Sequence, residues 1–226
     1  MDSTGLYEAF REDVVDTAKP YLWTEDEVWR YMDYAYRLFV RLTGGVHDFL
    51  SDVTRINVVA GEATAEMHES IIKTEQAFKM SDGKEIEIVN WSDQKKMATA
   101  DYGIVRQIYL DDRPGPVQYM VIGNQRGVVK WVRVPEYDDT VQLQVYRLPI
   151  DHIIGDDQEF VDVAEDHHNQ FLLGMKSQAY LKQDAETFNR AKADENDQKF
   201  RAYCAFVKSE WERYKHKPRV VTYGGI

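Results

Sequence analysis

The hydrophobic pattern of the chain changes period twice. Leu6, Phe10 and Val14 recur every fourth residue, which predicts a short helix over residues 5–18 stopped by Pro20. Thr24-Glu25-Asp26-Glu27 has the form of a capping box, with Thr at the N-cap and Glu three residues on. Behind it Val28, Met32, Ala35, Phe39 and Leu42 fall at spacings of four, three, four and three. That is one apolar stripe on a helix, which Gly44-Gly45 ends.

From Val53 the period drops to two. Val53, Arg55, Asn57 and Val59 alternate with Thr54, Ile56 and Val58 before a turn at Gly61-Glu62. Residues 71–78 and 85–91 read as strands joined at Ser81-Asp82-Gly83. A short polar helix, capped by Ser92, is expected through about Ala100. Three more strands follow, at 117–122, 128–134 and 140–148. Short joints between consecutive strands imply an antiparallel meander, and the absence of a repeated strand–helix unit argues against a parallel sheet.

The last third returns to helical spacing. His168, Phe171, Leu172, Met175 and Ala179 share a face. Lys182-Gln183-Asp184 breaks it, and Asp184 is the expected N-cap of a long helix from about 185 to 214. The second half of that helix carries Phe200, Tyr203, Val207, Trp211 and Tyr214 as a stripe, and Pro218 ends it. Helices, then strands, then helices predict an α+β chain: an antiparallel helical bundle from the N- and C-terminal helices with an inserted antiparallel β region. Residues 1–50 would supply the N-terminal helices and 51–160 the β region with its short helix. Residues 161–217 would complete the bundle, and 218–226 would form an extended C-terminal arm.

Composition narrows the function. The 226 residues carry 39 acidic and 28 basic side chains, a net charge of −11. Such a surface suits a wall past which DNA slides better than a dedicated duplex binder, which needs cations to displace counterions from phosphates. No apolar run reaches the length of a membrane span, and acids at Asp2, Glu8 and Glu12 predict no secretory leader. The single cysteine, Cys204, excludes an internal disulfide and reads as a packing residue on an amphipathic helix.

Candidate chemistry is sparse. His167 and His168 are adjacent, so a helix points them apart; no metal site is expected, with His168 on the apolar face and His167 in solvent. The pairs Asp111-Asp112, Asp138-Asp139 and Asp156-Asp157 sit in turns, where Asp hydrogen-bonds nearby backbone. There is no phosphate loop, nucleophile elbow or His-Glu-x-x-His stretch, so no catalytic residue and no cofactor is expected.

Two features point to assembly instead. The chain has 14 Tyr, 5 Trp and 9 Phe. A helix that buries one stripe leaves Trp29, Tyr31 and Tyr34 partly outside it, as boundary residues or as a subunit interface. Arg213, Lys215, Lys217 and Arg219 follow one another with no acid between them, and Val220, Val221 and Tyr223 are β-prone. Basic residues favour a helix C-terminus, which is one account of the run. The other is an arm that docks by adding a strand to a partner's sheet.

Several stretches together resemble the head-to-tail adaptor (connector) proteins of tailed, podovirus-like bacteriophages. Leu22-Trp23-Thr24-Glu25-Asp26-Glu27 opening Val28-Trp29-Arg30-Tyr31-Met32-Asp33-Tyr34-Ala35 is similar to that family's second helix start. Val58-Val59-Ala60-Gly61-Glu62 resembles its first strand and turn, and Tyr146-Arg147-Leu148-Pro149 its sheet exit. Glu165-Asp166-His167-His168 and the run from Ala179 to Phe188 resemble its C-terminal helices, and Lys217-Pro218-Arg219-Val220-Val221-Thr222-Tyr223-Gly224-Gly225 its tail. The resemblance spans roughly 22–225, with 93–116 the least typical stretch. It implies a structural virion protein without enzymatic activity, made in the host cytoplasm and resident at the head–tail interface. Twelve copies would form a ring beneath the portal protein, extend the DNA channel without specific DNA binding, and present a platform to tail or nozzle proteins. On that resemblance Arg213, Lys215, Lys217, Arg219, Val220, Val221 and Tyr223 form the portal-binding arm. The alternatives are another tail ring component, such as a tail-tube or tail-completion protein, or a glycan hydrolase acting through loop carboxylates.

Overall fold

The computed structural model describes residues 1–93, 98–101, 104–107 and 111–215, and the chain divides into two compact units. One consists of Met1–Gly44 with Pro149–Ile226, the other of Gly45–Leu148.

The first unit is helical. Helix α1 (Ser3–Asp13) starts where Asp2 accepts a bond from the Gly5 amide at 2.8 Å. It ends at Asp13, well before Pro20. Asp16 is the reason: it is buried, pairs with Arg11 and accepts from the Leu22 and Trp23 amides. That local network turns the chain through Val15, at φ 57, before the proline is reached. Helix α2 (Glu25–Thr43) opens on the expected box: Glu27 accepts from the Thr24 amide at 2.8 Å, and Thr24 accepts from the Glu27 amide at 3.3 Å. Gly44 closes it in the left-handed region.

A 3-10 turn over Glu165–Gln170 leads into helix α3 (Phe171–Ala179), and helix α4 spans Arg190–Lys215. The long helix therefore begins later than the spacing predicts. Residues 184–188 make a turn that buries Thr187, and Asn189 rather than Asp184 accepts the first free amide, that of Lys192, at 3.0 Å. Gly174 lets the helices approach: a Cβ there would lie 2.8 Å from Ala35 Cβ and 3.3 Å from Phe200 Cζ. Around it Phe39, Phe171 and Phe200 pack, with Met32, Tyr36, Met175 and Phe160 in the same buried set. Residues 149–164 are irregular and are tied down by side chains. Gln158 Oε1 accepts from the Ile154 and Gly155 amides, and Asp33 accepts from Ile153.

The second unit is built of strands: β1 (Val46–Asp48), β2 (Arg55–Val58), β3 (Thr64–Glu66), β4 (Ile71–Lys79), β5 (Glu85–Asn90), β6 (Ala98–Asp101), β7 (Ile104–Gln107), β8 (Asp111–Gly115), β9 (Tyr119–Gln125), β10 (Val128–Trp131), β11 (Arg133–Pro135) and β12 (Asp139–Arg147). The main sheet runs β1-β12-β4-β5-β9-β10-β3, with β2 also paired to β12. Strands β2 and β3 lie close, so the sheet curls on itself. Its inner face carries an apolar core that includes Ile56, Ile86, Met120, Trp131, Val141 and Leu143. A hairpin of β6 and β7 and a parallel pair of β8 and β11 stand off the main sheet.

The expected architecture is overturned. The β region is not an antiparallel insertion in a helical bundle; it is a curled mixed sheet with a core of its own, and the described residues form four α-helices beside it in sequence. The meander fails at β5, which pairs in parallel with β9 from Glu87↔Tyr119 to Asn90↔Ile122. Strand β4 causes the break. Its register against β12 slips by a residue at Glu75 and again at Ile72, and such bulges bend and twist a strand away from its neighbour. The polar helix expected from Ser92 is a 3-10 turn, Trp91–Asp93, and residues 98–101 are taken instead by pairing with β7. Residues 94–97 of that expectation lie outside the described part of the chain.

Candidate functional site

The surface that stands out lies at the C-terminal end of α4. Burial of Phe200, Cys204 and Val207 holds this helix to its unit, and Tyr203 is half-buried with its hydroxyl 2.9 Å from His167 Nδ1. Beyond Val207 every residue of the helix except half-buried Ser209 is exposed. The apolar stripe does not stop there. Trp211 is 53% exposed and Tyr214 is 90% exposed, and Phe206 on an adjoining face is 57% exposed. The stripe seen in the sequence is thus split by the fold: its first half fills the core, and its last two aromatics have no cover among the described residues.

Charge frames these aromatics. Lys208, Glu210, Glu212, Arg213 and Lys215 lie along the same stretch, and Arg213 and Lys215 sit in the last turn, where the helix dipole favours cations. Exposed Tyr and Trp with a charged rim of both signs suit a protein–protein contact, whose centre is enriched in aromatics and whose rim is polar. Of the arm residues, Arg213 and Lys215 are the last turn of α4; Lys217, Arg219, Val220, Val221 and Tyr223 lie outside the described residues.

The other interface candidates are dispersed by the fold. Trp29 stacks on Tyr7 of α1 with ring centroids 4.8 Å apart, so it is spent within its own unit. Tyr31 is half-buried, and burial raises its hydroxyl pKa. Only Tyr34, 41% exposed, still offers a ring to a partner.

Neither histidine is arranged as a metal ligand. His168 is buried, with its ring nitrogens 2.8 Å from Met1 O and 2.9 Å from Val163 O. His167 is not solvated as expected; it packs on Phe39 and bonds Tyr203. Among the described residues no three His, Cys, Asp or Glu side chains converge to hold a cation. Burial pushes the Cys204 thiol up to about 12, which suits packing and not nucleophilic attack. The acids in the first half of α4 are locally balanced: Asp194, Glu195 and Asp197 each meet a cation one turn away, in Arg190, Lys199 and Arg201.

Sequence reasoning missed several exposed apolar side chains. Leu50, Ile154 and Val161 are 82%, 77% and 74% exposed, all outside regular helices and strands. Periodicity cannot find them, because it registers only residues repeated on a face. No known protein family matches the chain, and no curated protein matches it in sequence.

Proposed function

We propose that this protein is a structural virion component: a head-to-tail adaptor that docks as a ring beneath a portal protein, extends the DNA channel and carries the tail or nozzle. The observation that supports it is the stripe of α4 leaving its own core. Trp211 and Tyr214 stand exposed in a helix turn flanked by Arg213 and Lys215, immediately before the basic, β-prone segment that resembles the family's portal-docking tail. An enzyme needs converging reactive groups, whereas an adaptor needs projecting, adhesive ends attached to a stable body. Tyr34 offers a second exposed ring for contacts between neighbouring copies.

The test is to mix the purified protein with portal rings of the phage that encodes it and to measure the mass of the complex. A ring adaptor adds about one copy per portal subunit and closes by head-to-tail contacts. One or two copies per portal ring, or no complex, removes the reading. The wall facing DNA is expected to carry more acids than bases, in line with the net charge of −11. The paired acids of α4 do not supply that excess, so it must come from elsewhere in the chain.

A further inference from the structure

The main sheet is split between β4 and β5. The two strands pair only at Ala77↔Ile86 and Phe78↔Glu85, next to their turn. Beyond that corner β4 bends with its register slips and stays on β12, while β5 crosses to β9. Two strand edges therefore face each other across a widening gap: β4 from Ile71 to Gln76, and β5 from Glu87 to Asn90. Among the described residues no strand fills it. The opening holds a cleft of about 390 Å³ lined by Glu75, Gln76, Glu85, Ile86, Glu87 and Ile88.

Backbone alternation shows what the gap offers. The Glu87 amide donates to Gln118 O at 3.0 Å, toward β9. The Ile88 amide, one residue on, is directed the other way, into the gap. An open edge of this kind is a template for another strand. Because β4 and β5 are antiparallel, an inserted strand would run parallel to one and antiparallel to the other, both of which are ordinary pairings. The side chains then select the guest. Ile86 and Ile88 belong to the apolar floor, Ile86 within the core and Ile88 packed against it. Glu85 and Glu87 stand exposed on the other face of β5 and have no cation at ion-pair distance among the described residues; Glu75 shares Lys73.

We infer that this gap is a docking site for an extended, lysine- or arginine-bearing segment of a second polypeptide, taken up by strand addition. Backbone pairing with β4 and β5 supplies the affinity, Ile88 receives an apolar side chain, and Glu85 and Glu87 choose a basic one. The inference does not rest on the adaptor reading, since any partner with such a segment would fit.

The full-length protein is titrated into a fluorescein-labelled peptide, acetyl-Val-Lys-Val-Arg-Val-Lys-amide, and anisotropy is followed at low salt. Saturable binding is expected, weakened roughly tenfold or more by Glu85→Lys with Glu87→Lys and less by the double Gln variant. Circular dichroism of both variants confirms that they fold. The same peptide N-methylated at alternate amides keeps its charge and loses its pairing, so it should not bind. Hydrogen exchange supplies the second reading: the Ile88 and Asn90 amides should exchange rapidly in the free protein and slow when the peptide is added. Equal binding of the methylated peptide, or of the charge-reversed protein, would overturn the site. Slow exchange of both amides in the free protein would also overturn it, by showing that the chain itself already fills the gap.

Discussion

Asp48 shows how much one side chain can decide. It is buried at the end of β1, accepts from the Leu50 and Ser51 amides at 2.9 and 3.1 Å and from Ser51 Oγ at 2.6 Å, and pairs with Arg147 of β12. Burial alone would raise its carboxyl pKa. The hydrogen bonds from Arg147 and Ser51 outweigh burial and hold it well below its ordinary value of 3.8. A carboxyl with a depressed folded pKa stabilises the protein fully above its unfolded pKa, and that stability is lost as pH falls toward the folded one. The denaturant midpoint of the full chain should therefore hold steady from neutral pH to about pH 5 and fall below about pH 4. Asp48→Asn should flatten that fall. Asp48→Ala, which removes the pair with Arg147 and the three bonds from Leu50 and Ser51, should cost about 3 kcal/mol. A midpoint of the Asn variant that tracks wild type through the acid limb would show that Asp48 is not the group responsible. Gly174 is the converse case, a position decided by what is absent. Its missing side chain is the space into which Ala35 and Phe200 fit.

Among the elements, α2 and α4 are stabilised differently, and two substitutions should separate them. The Thr24 hydroxyl satisfies an amide that would otherwise be unpaired, so Thr24→Ala should lower stability by about 1 kcal/mol. Trp211 has more than half its surface in solvent and sits past the last buried residue of α4. Trp211→Ala should leave the unfolding free energy within about 0.5 kcal/mol of wild type while, on the adaptor reading, weakening portal binding. A large loss of stability from Trp211→Ala would make it a structural residue and end its candidacy. The same two helices mark what was legible in the sequence. Helix α2 could be read from its start to its end, because Thr24, Glu27 and Gly44 act on backbone within a few residues of themselves. The start of α4 was misplaced because Asp184 and Asn189 are both competent caps. The choice between them is made by the burial of Thr187, which depends on the packed unit and leaves no periodic trace. The partial burial of His167 leaves no sequence trace for a related reason: its partners, Phe39 and Tyr203, come from distant parts of the chain.

For the whole molecule, the sheet limits what sequence can show. Turns at Ser81-Asp82-Gly83 and Gly123 to Gly127 declare that strands are consecutive, and β4–β5 and β9–β10 do pair that way. Nothing local declares that β5 leaves β4 after two pairs and joins β9 in parallel, since that outcome depends on bulges in β4 against β12. On the two proposals, the split gives the sheet unit one docking edge and the end of α4 gives the helical unit another. An adaptor, as proposed, joins two assemblies and needs two such surfaces. The arm hypothesis assigns the second of them, and it makes the strongest demand on the adaptor reading. In the sequence Pro218 follows α4 closely, and a proline is a poor residue for continuing a helix. The sequence Val220-Val221-Thr222-Tyr223 is β-prone, as strand addition to a partner requires. On the adaptor reading a partner sheet supplies backbone pairing, and Arg213, Lys215, Lys217 and Arg219 are suited to acids on that partner. Deleting the chain from Arg219 onward should therefore leave the circular dichroism and the denaturant midpoint unchanged. Binding to portal rings should fall at least about a hundredfold, the scale set by losing a strand's pairing together with a charged contact. Doubling the change with Trp211→Ala should abolish what remains. Full binding by the truncated chain would move docking onto the helices and leave the basic run with only its favourable place at the end of α4.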